Sequence, residues 1–122
     1  MDSNPITLVL GASEKTDRYS NKAIRMLRDY GFSVAAIGLR EGRVLDVPIV
    51  KHPIQNIKVD TVTLYLNPKN QQPLYQYLLS LHPRRIIFNP GSENPELIKL
   101  ASEKGIETKE ACTLVMLSTH QY

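Results

Sequence analysis

A chain of 122 residues, 42% hydrophobic and 22% charged, has room for one domain around one core, which excludes a multidomain assembly. Its 15 basic and 12 acidic residues leave a net charge of +3 spread along the chain, too mild and dispersed for a nucleic-acid footprint. The single cysteine, Cys112, excludes an internal disulfide and a multi-cysteine metal site and fits a reducing cytoplasm.

Met1-Asp2-Ser3-Asn4-Pro5 has no basic leader, and the apolar run after it is too short to cross a bilayer, so neither a signal peptide nor a membrane span is expected. Ile6-Thr7-Leu8-Val9-Leu10 then stops at Gly11-Ala12-Ser13 and reads as a buried parallel strand ending in a tight turn. Ser20 is a natural N-cap for the next helix, with Ala23, Ile24, Leu27 and Tyr30 on one face and Arg25, Arg28 and Asp29 on the other. The turn thus faces a helix N-terminus, where unpaired N–H groups and the dipole favour an anion. Gly31 ends the helix as a C′ glycine, and Ser33-Val34-Ala35-Ala36-Ile37 completes a βαβ unit with parallel strands.

Residues 41–50 have no helical period, and a short edge strand is expected around Ile49-Val50, because Pro48 suits only a sheet edge or a strand start. Ile54 and Ile57 could share one helical turn. Thr61–Leu66 is strand-like, Asn67-Pro68 breaks it, and a helix is predicted over 70–81 with Leu74, Leu78 and Leu81 buried and Pro73 in its first turn. His82-Pro83 stops that helix. Ile86-Ile87-Phe88 is the next strand and Asn89-Pro90-Gly91 the next turn, followed by a helix capped by Asn94-Pro95-Glu96 and ended by Gly105. Ile106–Lys109 is the last strand candidate, and Thr113–Leu117 a short closing helix. The predicted fold is α/β: a Rossmann-like, doubly wound, mainly parallel sheet of roughly five or six strands with helices on both faces. One domain over residues 1–122 is expected.

Ligands of such sheets lie beyond the carboxyl ends of the strands, which lines up Gly11-Ala12-Ser13, Leu39-Arg40, Asn67-Pro68 and Asn89-Pro90-Gly91 along one rim. Of the dinucleotide pattern G-x-G-x-x-G only Gly11 is present, with Ser13 at the second place. Small side chains there let backbone N–H groups approach a pyrophosphate; the alternative is an ordinary strand-to-helix turn. At the end of the second strand, where NAD sites carry an acid, stands Arg40. A cation there suits a phosphorylated ribose, in NADP or in the 3′-phosphate of coenzyme A, and the alternative is a solvated arginine.

Gly11-Ala12-Ser13, then Asp17-Arg18, Ser20, Lys22 and Gly31, with Val44-Leu45 and the Val47-Pro48 excursion, resemble the small stand-alone CoA-binding proteins related to the N-terminal domain of the succinyl-CoA synthetase α subunit. The resemblance covers nearly the whole chain and rests on the order and spacing of elements. It implies CoA or acyl-CoA lying across the rim, the pyrophosphate near Gly11-Ala12-Ser13, Arg18 and Arg40 near phosphates, and the adenine between the Arg40 and Asn67 loops. Ser20 and Lys22 join the cofactor-binding set. Two departures stand out: Gly38-Leu39 where such proteins commonly have Asn-Pro, and an uncharged tail after Cys112-Thr113.

No catalytic constellation is legible. The resemblance places the synthetase's phosphorylated histidine outside this domain, and His52, His82 and His120 fall in an irregular stretch, at a helix end and in the tail. Cys112 reads as a small buried side chain, with a mixed disulfide to the CoA thiol as the rival reading. The expected role is therefore non-catalytic CoA binding, with a protein partner or a homodimer open. The rivals are an NADP-dependent oxidoreductase fragment and a Rossmann-like interaction module that has lost its ligand.

Overall fold

The computed structural model describes residues 5–122; the reading of Met1 to Asn4 as lacking a leader lies outside the described residues. β1 (Ile6–Ala12), β2 (Ser33–Gly38), β3 (Gly42–Val44), β4 (Val47–Val50), β5 (Thr61–Leu64), β6 (Arg85–Phe88) and β7 (Glu107–Glu110) form one sheet in the order β3-β4-β2-β1-β5-β6-β7. All neighbours are parallel except β3 and β4, which form an antiparallel hairpin. The Rossmann-like architecture is as expected, but with seven strands where five or six were predicted. The additional strand is β3, whose three residues are too short to carry a period. It also displaces β4 from the edge, so Pro48 is not in an edge strand; pairing of β4 with β2 begins only at Ile49, one residue past the proline.

Alternation along the strands sends side chains to two cores. Leu8, Leu10, Val62, Leu64, Ile86 and Phe88 pack with Leu78, Leu97 and Ala101, from α3 (Tyr75–Leu81) and α4 (Pro95–Glu103). Val9, Ala36 and Ile49 pack with Ile24 and Leu27 of α1 (Tyr19–Asp29) and Leu117 of α5 (Thr113–Ser118) on the opposite face. Ala12 joins this second set because of a bulge. Leu10 pairs with Ile37 and Ala12 with Gly38, which leaves Gly11 extra at φ +91° and turns Ala12 to the face of Val9.

Local chemistry explains where helices start and stop. Ser20 does not cap α1: the helix begins at Tyr19 after an extended Arg18, and Ser20 is buried inside the first turn. At the other end the Gly31 and Phe32 N–H groups donate to the Arg28 and Leu27 carbonyls at 3.0 and 3.0 Å, a Schellman closure that requires the left-handed Gly31. The helix predicted over 70–81 arrives in pieces, α2 (Pro68–Gln71), a 3-10 turn (Gln72–Leu74) and α3, because Pro73 cannot donate into an α ladder. Tyr30, expected on the buried face of α1, is instead exposed beyond the helix end.

Two features lie away from the rim. Tyr122 docks on the sheet: its hydroxyl hydrogen-bonds Thr7 of β1, its ring meets Phe32 edge-on at 4.9 Å, and the buried Arg85 guanidinium stacks over it at 4.4 Å. In the β3–β4 turn, Leu45 is left-handed at φ 55°, a conformation that costs a non-glycine residue about 1–2 kcal/mol. The turn is tied to α1 by Arg28, whose Nε and Nη2 donate to the Asp46 carboxylate at 3.0 and 2.8 Å.

Candidate functional site

The chain runs from β1 outward to β2 on one side and returns to β5 on the other, so the strand order reverses at β1. A cavity of about 410 Å³ opens there, beyond the carboxyl ends of those three strands. Its walls are Gly11 to Lys15 and Arg18 from the β1–α1 connection, Leu39, Arg40 and Glu41 after β2, and Tyr65 and Leu66 after β5.

Backbone closeness shapes the floor. A Cβ at Gly11 would lie 3.0 Å from the Tyr65 carbonyl group, and a Cβ at Gly38 would lie 2.3 Å from the Ala12 oxygen. The second contact gives a physical reason for the Gly38-Leu39 departure: β1 passes too near β2 for any side chain there. The loop above is held by a buried Asn21, whose Nδ2 donates to the Ser13 carbonyl at 3.0 Å and whose Oδ1 accepts from Arg25 at 2.8 Å. Ser13 Oγ accepts from the Lys15 N–H at 3.1 Å, which leaves its own hydrogen free to donate. Glu14 reaches across to the hairpin, where its carboxylate accepts from the Arg43 N–H at 2.8 Å over the bare Cα of Gly42.

Lys15, Arg18 and Arg40 therefore surround a cavity in which Glu14 is already hydrogen-bonded to backbone and Glu41 is the other carboxylate. Arg18 also stands at the N-cap of α1, whose first turn carries no acidic residue and whose start has no side-chain cap. Free N–H groups and the positive end of an 11-residue helix thus add to the cations at one wall. Behind the opposite wall, the Tyr65 hydroxyl is buried with no hydrogen-bond partner. Burial pushes its pKa up to about 12, opposed by the neighbouring Thr63 and Thr113 hydroxyls, which are bonded to each other at 2.8 Å.

Of the residues predicted from sequence, Gly11, Ala12, Ser13, Arg18 and Arg40 come together in this cavity. Ser20 is buried in α1, and Lys22 faces a separate groove with Arg25 and Met26. Asn67 caps α2, accepting from the Asn70 N–H at 2.9 Å, with Pro68 as the first helical residue. Asn89 is buried: its Nδ2 donates to Thr63 Oγ1 at 2.6 Å and to the Leu64 carbonyl at 2.9 Å, while its Oδ1 accepts from the Thr113 N–H at 2.8 Å. Pro90 and Gly91 follow it past β6, one strand beyond the cavity.

Leu39, already on the predicted rim, lines the cavity as well, whereas Glu14, Lys15, Glu41, Tyr65 and Leu66 were missed although each lies within two residues of one singled out. Asn21 left a signal of its own, a polar side chain on the apolar face of Ile24. Fully buried Gln71 left none. Its Nε2 donates to the Leu66 and Ser92 carbonyls, both at 2.8 Å, and its Oε1 accepts from Asn94, which ties the loops after β5 and β6 together. No cluster of metal-ligating side chains occurs among the described residues.

The sequence pattern described as CoA binding domain matches residues 6–118. The chain belongs to the CoA binding domain family. A crystal structure of an uncharacterized protein matches this CoA binding domain at 45% identity and TM-score 0.93, covering 99% of this chain and 100% of that one. A cell-free expressed protein, ID.343, from Thermus thermophilus follows at 21% identity and TM-score 0.85, over 98% and 91% of the two chains. The dinucleotide forming acetyl-coenzyme A synthetase 1 of Ca. Korarchaeum cryptofilum, in complex with phosphate and ADP, shares the fold at 16% identity and TM-score 0.71. There the match covers 88% of this chain and 26% of the synthetase. No curated protein sequence matches the chain. Among the described residues, no helix is long and apolar enough to cross a membrane.

Proposed function

We propose that residues 1–122 act as a single, non-catalytic coenzyme A or acyl-CoA binding domain, with the pyrophosphate seated on Gly11-Ala12-Ser13. One observation carries the reading: the cavity at the point of strand reversal joins a glycine bulge, an uncapped helix start and the cations Lys15, Arg18 and Arg40. A phosphorylated adenine nucleotide needs this combination of close backbone, unpaired N–H groups and positive charge. In this reading Ser13 donates its free hydrogen to a phosphate oxygen, Arg18 and Lys15 flank the diphosphate, and Arg40 takes the ribose phosphate. The adenine lies against Leu39 and Leu66, and the pantetheine arm runs outward along the rim. Lys22, Asn89, Pro90 and Gly91 drop out of the binding set. A reducing cytoplasm remains the compartment that a lone Cys112 suits.

Arg40 would serve the 2′-phosphate of NADP by the same chemistry, so the deciding experiment compares thermal unfolding with CoA, dephospho-CoA, NADP and NAD. A ligand at about 100 times its dissociation constant adds roughly 2.7 kcal/mol and raises Tm by roughly 10 °C. The expected result is a shift with CoA that exceeds all three others. A shift confined to NADP establishes the oxidoreductase reading instead, and none at all leaves an interaction module without ligand.

A further inference from the structure

Five large hydrophobic side chains are exposed among the described residues, and Leu39 belongs to the cavity above. The other four gather around α1. Tyr19, 68% exposed, opens the helix; Tyr30, 42% exposed, closes it; Leu45, 51% exposed, sits in the turn tied to it; Val115, 56% exposed, is on α5, which packs beside it. A shallow groove of about 710 Å³ runs between Leu45 and the helix, lined by Lys22, Arg25, Met26, Arg28, Asp29 and Tyr30. Leu45 is strained in its left-handed turn, and the fork from Arg28 to Asp46 holds it there. Strain maintained so that a leucine stands in water points to a surface that is covered.

Charge decides what covers it. Arg28 is neutralised by Asp46, which leaves two cations, Lys22 and Arg25, against one carboxylate, Asp29. So small an excess does not select a strongly acidic partner. The arrangement of signs is more informative, because Lys22, Met26 and Asp29, at i, i+4 and i+7, form one stripe that is positive at its start, apolar in its middle and negative at its end. Turned about a two-fold axis at Met26, the stripe meets its own image with Lys22 opposite Asp29 in both directions. We propose that this face is an isologous dimer interface in which α1 of one copy lies antiparallel on α1 of a second copy of the chain.

Sedimentation velocity across a wide range of protein concentration tests this, with Tm recorded for every variant. The wild-type chain should approach twice its 13.8 kDa monomer mass as concentration rises. Lys22→Asp and Asp29→Lys should each raise the dimer dissociation constant about tenfold, since each reversal breaks two symmetric charge pairs. The K22D/D29K double variant should recover wild-type association. Leu45→Gly should weaken the dimer while keeping or raising the monomer's Tm, which separates lost contact from lost fold. A chain that stays monomeric at every concentration, a dimer indifferent to both reversals, or a double variant that does not recover overturns the proposal.

Discussion

The carbonyl oxygen of Ala12 stands so close over Gly38 that a Cβ at position 38 would lie 2.3 Å from it. The oxygen is a backbone atom and a Cβ is fixed by the backbone that bears it, so neither can swing aside, and β1 must part from β2 to admit a side chain. Gly38→Ala should therefore cost about 1–3 kcal/mol of stability and, because Ala12 is a cavity wall, should shrink the rise in Tm produced by CoA. Thermal melts with and without CoA check both effects; a full CoA shift on a destabilised variant would separate the strand contact from the site.

Arg40 is exposed on the cavity rim. If it takes the 3′-phosphate, Arg40→Ala removes a charge-assisted hydrogen bond of about 1.5–3 kcal/mol, weakening CoA about tenfold or more and leaving dephospho-CoA nearly unchanged. Calorimetric titration with the two ligands measures the ratio. An Arg18→Ala variant should weaken both alike, because the diphosphate is common to them.

Asn89 and Asn67 sit at comparable places after β6 and β5, yet their replacement should differ. Asn89→Ala strands the Thr113 N–H and takes a donor from the Leu64 carbonyl and from the Thr63 hydroxyl, which keeps only Thr113 Oγ1, for a loss of about 2–4 kcal/mol. Asn67→Ala removes one exposed cap bond and should cost about 1 kcal/mol. Urea unfolding of the two variants gives the comparison directly.

Tyr65 makes stability sensitive to alkali. Its folded pKa, pushed up to about 12 by burial, lies above the unfolded value of about 10. The native state therefore holds the proton more tightly. That stability is fully present below pH 10 and is lost as pH rises through about 12, by up to about 2–3 kcal/mol. Tyr65→Phe should flatten this alkaline limb and, by deleting a buried hydroxyl with no partner, should cost little at neutral pH. Denaturant midpoints from pH 8 to 12, read beside phenolate absorbance, report both.

The capping glycines Gly31 and Gly105 and the asparagine cap at Asn94 were legible in the sequence because each depends on neighbours within a turn or two, and the parallel sheet because apolar strand runs alternate with helical periods along the chain. β3 was not, since three residues show no period and their strand character comes from pairing with β4. Ser20 has the chemistry of a cap, but tertiary burial of the first turn decided its place. For the site, the rim rule located the cavity and five of its residues. It overreached at Asn89, because one sequence cannot show whether an amide after a strand looks outward to ligand or inward to Thr63 and Thr113, more than twenty residues away.

Thr7 and Tyr122 bond across a sequence separation of 115 residues. The strand's ladder partners β2 and β5 come from residues 33–64, and only the Thr7 side chain needs Tyr122. Loop closure over such a span costs entropy that grows only slowly with length, so this clasp fastens a sheet already paired and does not guide its assembly. A substitution at Tyr122 would therefore loosen the finished sheet without redirecting how its strands find one another.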